Sequence, residues 1–489
     1  MNKQKLKKII EIILFVFIVI QPIFDLKIFY NSISTLIRTI VIGILFIIYF
    51  FLDKNKKKWW FVPYVIAIII YFVFHHMNAL NFKSLVPGNF EYSILEEALY
   101  FIKMMIPFCL IYILYHSDIS YTKVIKIIVF TMSCVIIISN LFLFSYGSYS
   151  DVTIKGNIFS WFTESEYTFF DLASKGLFEY ANQISAVLLM FLAVLLYEVL
   201  ENRKLKEIGL LCCNILALLM LGTKVAVLGI FIVFCYTVFL WLIKQVKNRT
   251  FQKKSLKAPA IILVCYLLLL PANPAFNRME VQNNAIETAA PIVIEDEKEI
   301  NEQEQEQYKE NIAEKENTEQ KQSEELYPKD TGIHEIFIRD AYPYQYDKEF
   351  WNGIFKLDAN LRIDFRYLEK AMIKRVVEIN NNPGDKYFGI TNTRLQNIFN
   401  IEQDFIVQYY AIGIIGTILV LSPYGVILGY SVYKMIKKRK IEIPYLEIML
   451  FLSISMMFCI SYFSGNLLNS LSFTIYFAIL FAFLLKQKV

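Results

Sequence analysis

The chain has 489 residues, 56% of them hydrophobic and 16% aromatic, and its mean hydropathy is positive. Apolar runs of about 17–25 residues recur from end to end, which excludes a soluble globular domain and marks an all-α polytopic membrane protein. The net charge of +5 is spread over short loops, so it points to no nucleic-acid partner.

The first apolar run follows Lys3, Lys5, Lys7 and Lys8. No small-residue cleavage site comes after it and further spans do, so it is expected to stay as the first helix. Twelve spans are expected, near residues 9–24, 36–52, 59–74, 98–115, 125–146, 183–200, 207–221, 225–243, 258–270, 404–433, 446–463 and 471–485. Alternate connections are basic: the N-terminus, Lys54 to Lys58, Lys123 with Lys126, Arg203 to Lys206, Lys244 to Lys257, Lys434 to Lys440, and Lys486 with Lys488. The positive-inside rule places these loops and both termini in the cytoplasm. Heavy use of Ile, Lys, Asn, Phe and Tyr fits an AT-rich bacterial genome, so the expected location is a bacterial cytoplasmic membrane. The organisation read from this pattern is residues 1–270 as spans one to nine, 271–403 as a large outer loop, and 404–489 as the last three spans.

All seven cysteines fall in apolar runs, and the four histidines lack metal-ligand spacing. Neither a disulfide framework nor a metal site is expected, and no cofactor.

Lys224 is the first charged residue with a chemical question attached. It lies within "ALLMLGTKVAVLGIFIVF" (217–234), and a charge at mid-bilayer costs about 2.5–3.5 kcal/mol. The topology resolves this, because "LGTK" then falls at the outer turn of a hairpin, with Gly222 supplying the tight bend. An interfacial, snorkelling lysine is the competing explanation.

The outer segment 271–403 divides in two. From Glu295 to about residue 326 it is rich in Glu, Gln, Lys and Asn and nearly free of apolar residues, so it is expected to be disordered. From Ile333 onward apolar residues return. "LRIDFRYLEKAMIKRVVE" (361–378) has Leu361, Phe365, Leu368, Met372 and Val376 at helical spacing. Arg362 and Arg366 fall one turn apart on a neighbouring face, a spacing at which paired guanidiniums can grip a phosphate. On spacing alone, an ordinary amphipathic helix with a solvated basic face is the simpler explanation of the pair. Just before the tenth span, "NIEQDFIVQYYAIGIIG" (400–416) puts Glu402 and Asp404 at the outer mouth. Either carboxylate suits a general base, and plain helix capping is the alternative. Arg38, Lys103, Arg278 and Arg339 are further outer-side cations. Orientation bias gives cations there no advantage, so their number suggests an anionic outer ligand.

Three stretches together carry a family resemblance. "GLFEYANQISAVL" (176–188), "LGTKVAVLG" (221–229) and "IEQDFIVQYYAIGIIG" (401–416) resemble the membrane polysaccharide polymerases and O-antigen ligases in order and spacing. The resemblance implies a helical, GT-C-like glycosyltransferase that acts on the outer face without metal. Its implied donor is a polyprenyl-pyrophosphate-linked (undecaprenyl-type) oligosaccharide. The family's motif cation falls on Lys224, and the arginine pair of its outer loop on Arg362 and Arg366. Asn182 occupies the Asn position of the first motif, with Gln183 where an acid often follows. Ligases place a histidine where this chain has Glu402, which favours a polymerase.

On this reading a sugar hydroxyl of an incoming repeat unit attacks the chain carried on lipid pyrophosphate. Glu402 is the first choice of base and Asp404 the second. Lys224, Arg362 and Arg366 stabilise the leaving pyrophosphate, and Arg38, Lys103, Asn182, Arg278 and Arg339 bind substrate. A chain-length regulator is a partner that the resemblance allows. The rival readings are a ligase moving finished glycan to another acceptor, a flippase or exporter of lipid-linked sugars, and a non-enzymatic membrane sensor.

Overall fold

A computed structural model describes residues 3–29, 31–54, 58–59, 61–86, 89–249, 252–288, 331–398, 401–439 and 444–487. The acidic stretch expected to be disordered, 295–326, lies outside the described residues. The longer helices are α1 (Lys3–Val19), α2 (Asn31–Leu52), α3 (Phe61–Ala79), α4 (Ile94–His116), α5 (Tyr121–Leu141), α6 (Ala181–Asn202) and α7 (Leu205–Met220). They continue as α8 (Lys224–Lys247), α9 (Lys253–Leu269), α10 (Pro274–Thr288), α11 (Phe365–Asn380), α12 (Asp404–Arg439), α13 (Tyr445–Phe463) and α14 (Leu471–Lys486).

Each of the twelve expected spans is helical. Among the described residues nine helical stretches are long and apolar enough to cross a membrane. The other three, α1, α7 and α14, have only 17, 16 and 16 residues. The protein is an integral membrane protein of helical type.

The centre is built from α6 and α14, which are apolar on every face. Residues Ala186 to Leu196 and Phe473 to Ala482 are almost all sealed from the exterior. A helix hydrophobic all round belongs inside such a bundle. Around this pair stand α4, α5, α7, α8 and α13, while α2 and α3 present exposed Ile, Leu and Phe outward. Those exposed side chains suit a lipid solvent.

Ion pairs join the basic connections to one another's acids. Lys7 pairs with Asp118 (2.9 Å), Lys126 with Glu198 and Glu207 (2.7 and 3.0 Å), Lys244 with Glu201 (2.8 Å), and Lys438 with Glu447 (2.6 Å). These basic connections are the ones the positive-inside rule assigns to the cytoplasm.

A second apolar cluster includes much of 331–398. Phe337, Trp351, Phe355, Leu368, Met372 and Ile373 pack together with Tyr71 of α3, Phe101 of α4 and Ala411 of α12. The segment is therefore seated on the helical body. Its docking breaks α12. Gly413 leaves helical geometry (φ 60°, ψ −174°), and the strand-like turn at Gly389 (φ 77°) lies against Ala411. The amides of Ile390 and Thr391 then bond the carbonyls of Tyr410 and Ala411 (2.8 and 3.0 Å), replacing the helix's own lost bonds. His75 bridges the Phe388 carbonyl (2.6 Å) and the buried carboxylate of Glu97 (3.0 Å), which also accepts the amides of Asn392 and Thr393.

A side chain at Gly389 would meet the Ala411 carbonyl and need a left-handed backbone. Gly389→Ala is expected to lower stability by about 2–4 kcal/mol. The measurement is the thermal midpoint in detergent, and an unchanged midpoint would mean the two backbones are not this close.

Candidate active site

At the GTK turn, Gly222 takes a positive φ of 61°, as the tight bend requires. Thr223 caps α8 by accepting from the Ala226 amide (3.1 Å) and is itself bonded to Ser185 of α6 (2.9 Å). Lys224 is thus the first residue of α8, exposed, and held at a fixed place by two anchored neighbours.

Two further cations from separate helices act on it. Arg278 of α10 and Arg366 of α11 both lie within electrostatic range of Lys224. Arg278 rests on the ring of Tyr149 (4.0 Å to the centroid) and near that of Phe169 (5.6 Å). Arg366 donates from Nε (3.0 Å) and Nη2 (2.6 Å) to Oε2 of Glu402. Both bonds use one oxygen, and among the described residues no hydrogen bond engages Oε1. The pair is 40% and 34% exposed, so its value to stability is small, about 0–1 kcal/mol. Tyr149 is close enough to feel Arg278, Glu402 and Arg366 together, and burial raises the pKa of its phenol.

Arg362 does not stand beside Arg366 on one helix face as spacing suggested. One unbroken helix over 361–378 would set it beside Arg366. Instead the helix is interrupted at Ile363 and Asp364, where the Asp364 carboxylate caps α11 by accepting the Arg366 amide (3.0 Å). Arg362 closes a separate one-turn helix and is buried, its Nη1 on the Phe355 carbonyl (3.3 Å). Burial lowers its pKa.

Asp404 is also elsewhere. Its side chain is fully buried, and Oδ2 accepts the amides of Leu467 and Leu468 (2.9 and 3.0 Å) in the connection from α13 to α14. This carboxylate is a structural anchor in the geometry, while Glu402 two residues earlier is on the exposed side. Asp404→Ala leaves two buried amides without their acceptor, and a loss of about 2–4 kcal/mol is expected. Asp404→Asn keeps a carbonyl oxygen and should recover much of it. Thermal unfolding of both variants checks this, and equal midpoints for wild type and Asp404→Ala would remove the anchor.

The remaining cations fall outside the group. Arg38 is sealed in a buried network with Asp25 (2.6 Å), Gln21 (2.8 Å) and Ser472 (2.7 Å), and Tyr476 also bonds Asp25. Arg339 pairs with Glu335 and Asp340 of its own turn (2.9 Å each). Lys103 is half-buried in α4 and feels the charge of Asp404. Asn182 is half-buried in the first turn of α6.

Sequence reading missed two members. Tyr149 comes from the long connection 142–180, and nothing separates it from the other tyrosines of the chain. Glu369, one turn beyond Arg366, is buried and lies within electrostatic range of Glu402 and Arg366. Among the described residues no group of three or more His, Cys, Asp or Glu side chains is placed to hold a metal ion.

The helical membrane body and the grouping of Lys224, Arg278 and Arg366, with Arg366 on Glu402, define an integral membrane protein with a charged site. The chain belongs to the family described as O-antigen ligase like membrane protein, which it matches over residues 7–487. Membership makes it a membrane enzyme of glycan transfer, with lipid-linked glycans as its general class of substrate. No curated protein and no solved structure matches it.

Proposed function

We propose that the protein polymerises oligosaccharide repeat units carried on a polyprenyl pyrophosphate, at the outer face of a bacterial cytoplasmic membrane. The observation that carries this reading is the gathering of Arg278 and Arg366, from α10 and α11, within range of Lys224 of α8, with Arg366 bonded to Glu402. Both arginines repel Lys224, and a pyrophosphate arriving among these cations relieves that repulsion. In glycosyl transfer negative charge grows on the departing pyrophosphate, so preplaced cations favour the transition state over the bound donor.

The attacking group is a sugar hydroxyl of the acceptor unit. Glu402 takes its proton through Oε1, while Arg366 on Oε2 orients the carboxylate. The carbon–oxygen bond to pyrophosphate breaks as the new glycosidic bond forms. Arg278, braced on Tyr149, holds the diphosphate. The glutamate at 402, where ligases carry histidine, supports polymerisation over transfer of finished glycan.

The test is the size profile of lipid-linked glycans in host cells with and without the gene. Accumulation of single repeat units in the deletion supports a polymerase. Long chains that build up on lipid without reaching an acceptor would make the protein a ligase.

A further inference from the structure

The diphosphate assigned to Arg278 belongs to a lipid, and the rest of that lipid needs a surface. Arg278 lies over Tyr149 and near Phe169 (4.0 and 5.6 Å to the ring centroids). Those two rings meet edge to face at 5.4 Å, and Phe169 lies against Phe170 (3.9 Å between centroids). The one-turn helix Phe169–Leu172 is tied to α10 by the Phe169 amide, which donates to Oδ1 of Asn277 (2.8 Å). A 3-10 turn, Ile158–Trp161, packs against it, and the Lys155 amide donates to the Asp171 carbonyl (2.9 Å). That turn is fixed in its place on the end of α5. The Ile158 amide donates to Oδ1 of Asn140 (3.1 Å), and Nδ2 of Asn157 to the Leu141 carbonyl (3.3 Å). Packed elements thus form a ledge from Arg278 to the end of a span.

Along this ledge phenylalanines stand in the open. Phe159 is 68% exposed, Phe162 61% and Phe170 50%, and Phe142 after α5 and Phe276 of α10 are exposed as well. The same stretch exposes Lys155, Glu164 and Glu166. Hydrocarbon does not tolerate such charges, so the ledge sits at the polar edge of the membrane. The residues that favour that level as anchors are Trp and Tyr, whose rings carry a polar handle. Phenylalanine has none, and several of them in the open mark a surface that something apolar covers. The occupant must also end in a strong anion, because the ledge ends at Arg278, with Lys224 in electrostatic range.

We infer that the ledge bearing Phe159, Phe162 and Phe170 holds the isoprenoid tail of the donor, leading it from the bilayer to the cations that take its diphosphate. This rests on the assignment of a lipid pyrophosphate to Arg278 in the proposed function. Phenylalanine faces suit an isoprenoid, since they offer a large apolar area and make no hydrogen-bond demand on it.

The experiment measures binding by the purified protein, in one fixed detergent, of inorganic pyrophosphate and of a long-chain polyprenyl pyrophosphate. Wild type, the combined variant Phe159→Ser, Phe162→Ser, Phe170→Ser, and Arg278→Ala are compared, each with a thermal midpoint. The three phenylalanines are exposed, so serine leaves no cavity and the combined variant should fold. It is expected to bind the polyprenyl probe about tenfold more weakly than wild type and inorganic pyrophosphate as well as wild type does. Should the combined variant unfold, Phe162→Ser alone is expected to show the same selectivity at a smaller factor. Unchanged binding of the polyprenyl probe would overturn the inference and leave the phenylalanines as contacts for bulk lipid. An equal loss for both probes would overturn it too, since the rings would then act only by bracing Arg278. Arg278→Ala should weaken both probes. Wild-type affinity for both in that variant would instead contradict the diphosphate assignment, whatever the phenylalanines do.

Discussion

Glu402→Gln is expected to abolish polymer while the protein accumulates to normal levels. The side chain is only partly buried, and its ion pair with Arg366 contributes little to folding. Glutamine keeps the shape and still accepts from Arg366, but it takes no proton from a sugar hydroxyl. Removing a positioned general base costs roughly 10²–10⁴-fold in rate. The measurement pairs transfer activity with membrane abundance. Activity near that of wild type would take Glu402 out of the mechanism, and a loss of protein together with activity would make its role structural. Two residues along, Asp404→Ala should fail in that second way, because its carboxylate anchors backbone amides.

Lys224→Ala should lose activity by roughly 10²–10³-fold, the scale seen when one preplaced stabiliser of transition-state charge is removed. Local electrostatics oppose a cation at this position. Lys224 is the first residue of α8, where the helix dipole favours negative charge, and Arg278 and Arg366 repel it. The alanine variant should be nearly inactive while still accumulating as folded protein. Lys224→Arg keeps the charge and should retain part of the rate. The check is turnover beside thermal midpoint for both. An active Lys224→Ala would return the lysine to an interfacial role.

Much of the fold was legible because membrane helices are written in long apolar runs. The helical elements were found with ends a few residues off, since apolar runs do not mark caps such as Ser93 or Thr223. The length of α1, α7 and α14 is the weak point, as 16–17 residues serve a buried helix as well as a span. The break in α12 was hidden. Glycines at 413 and 416 read as a family motif, but only the close approach of the Tyr387 and Phe388 backbone from another segment explains why position 413 leaves the helix.

The candidate site was legible where charge is rare and unreadable where it depends on tertiary contact. Lys224 stood out against an apolar background, and Glu402 against the helix that follows it. Periodicity misled at Arg362, because a single aspartate at 364 restarts the helix and turns Arg362 inward. That capping residue was a usable signal. Arg38 looked like an outer cation and is instead half of a buried pair whose partner, Asp25, lies thirteen residues earlier. Tyr149 and Glu369 carried no local mark, since each gains its place from a neighbour far away in the chain.

The central claim is transfer from a lipid pyrophosphate, and purified protein tests it most directly. Detergent-solubilised wild type would be given a polyprenyl-pyrophosphate-linked repeat unit from the host, and released polyprenyl pyrophosphate would be followed alongside glycan length. The account predicts release of lipid pyrophosphate in step with products of two, three and more repeat units, and neither with Glu402→Gln. Intact donor with no lengthening by wild-type protein would contradict it.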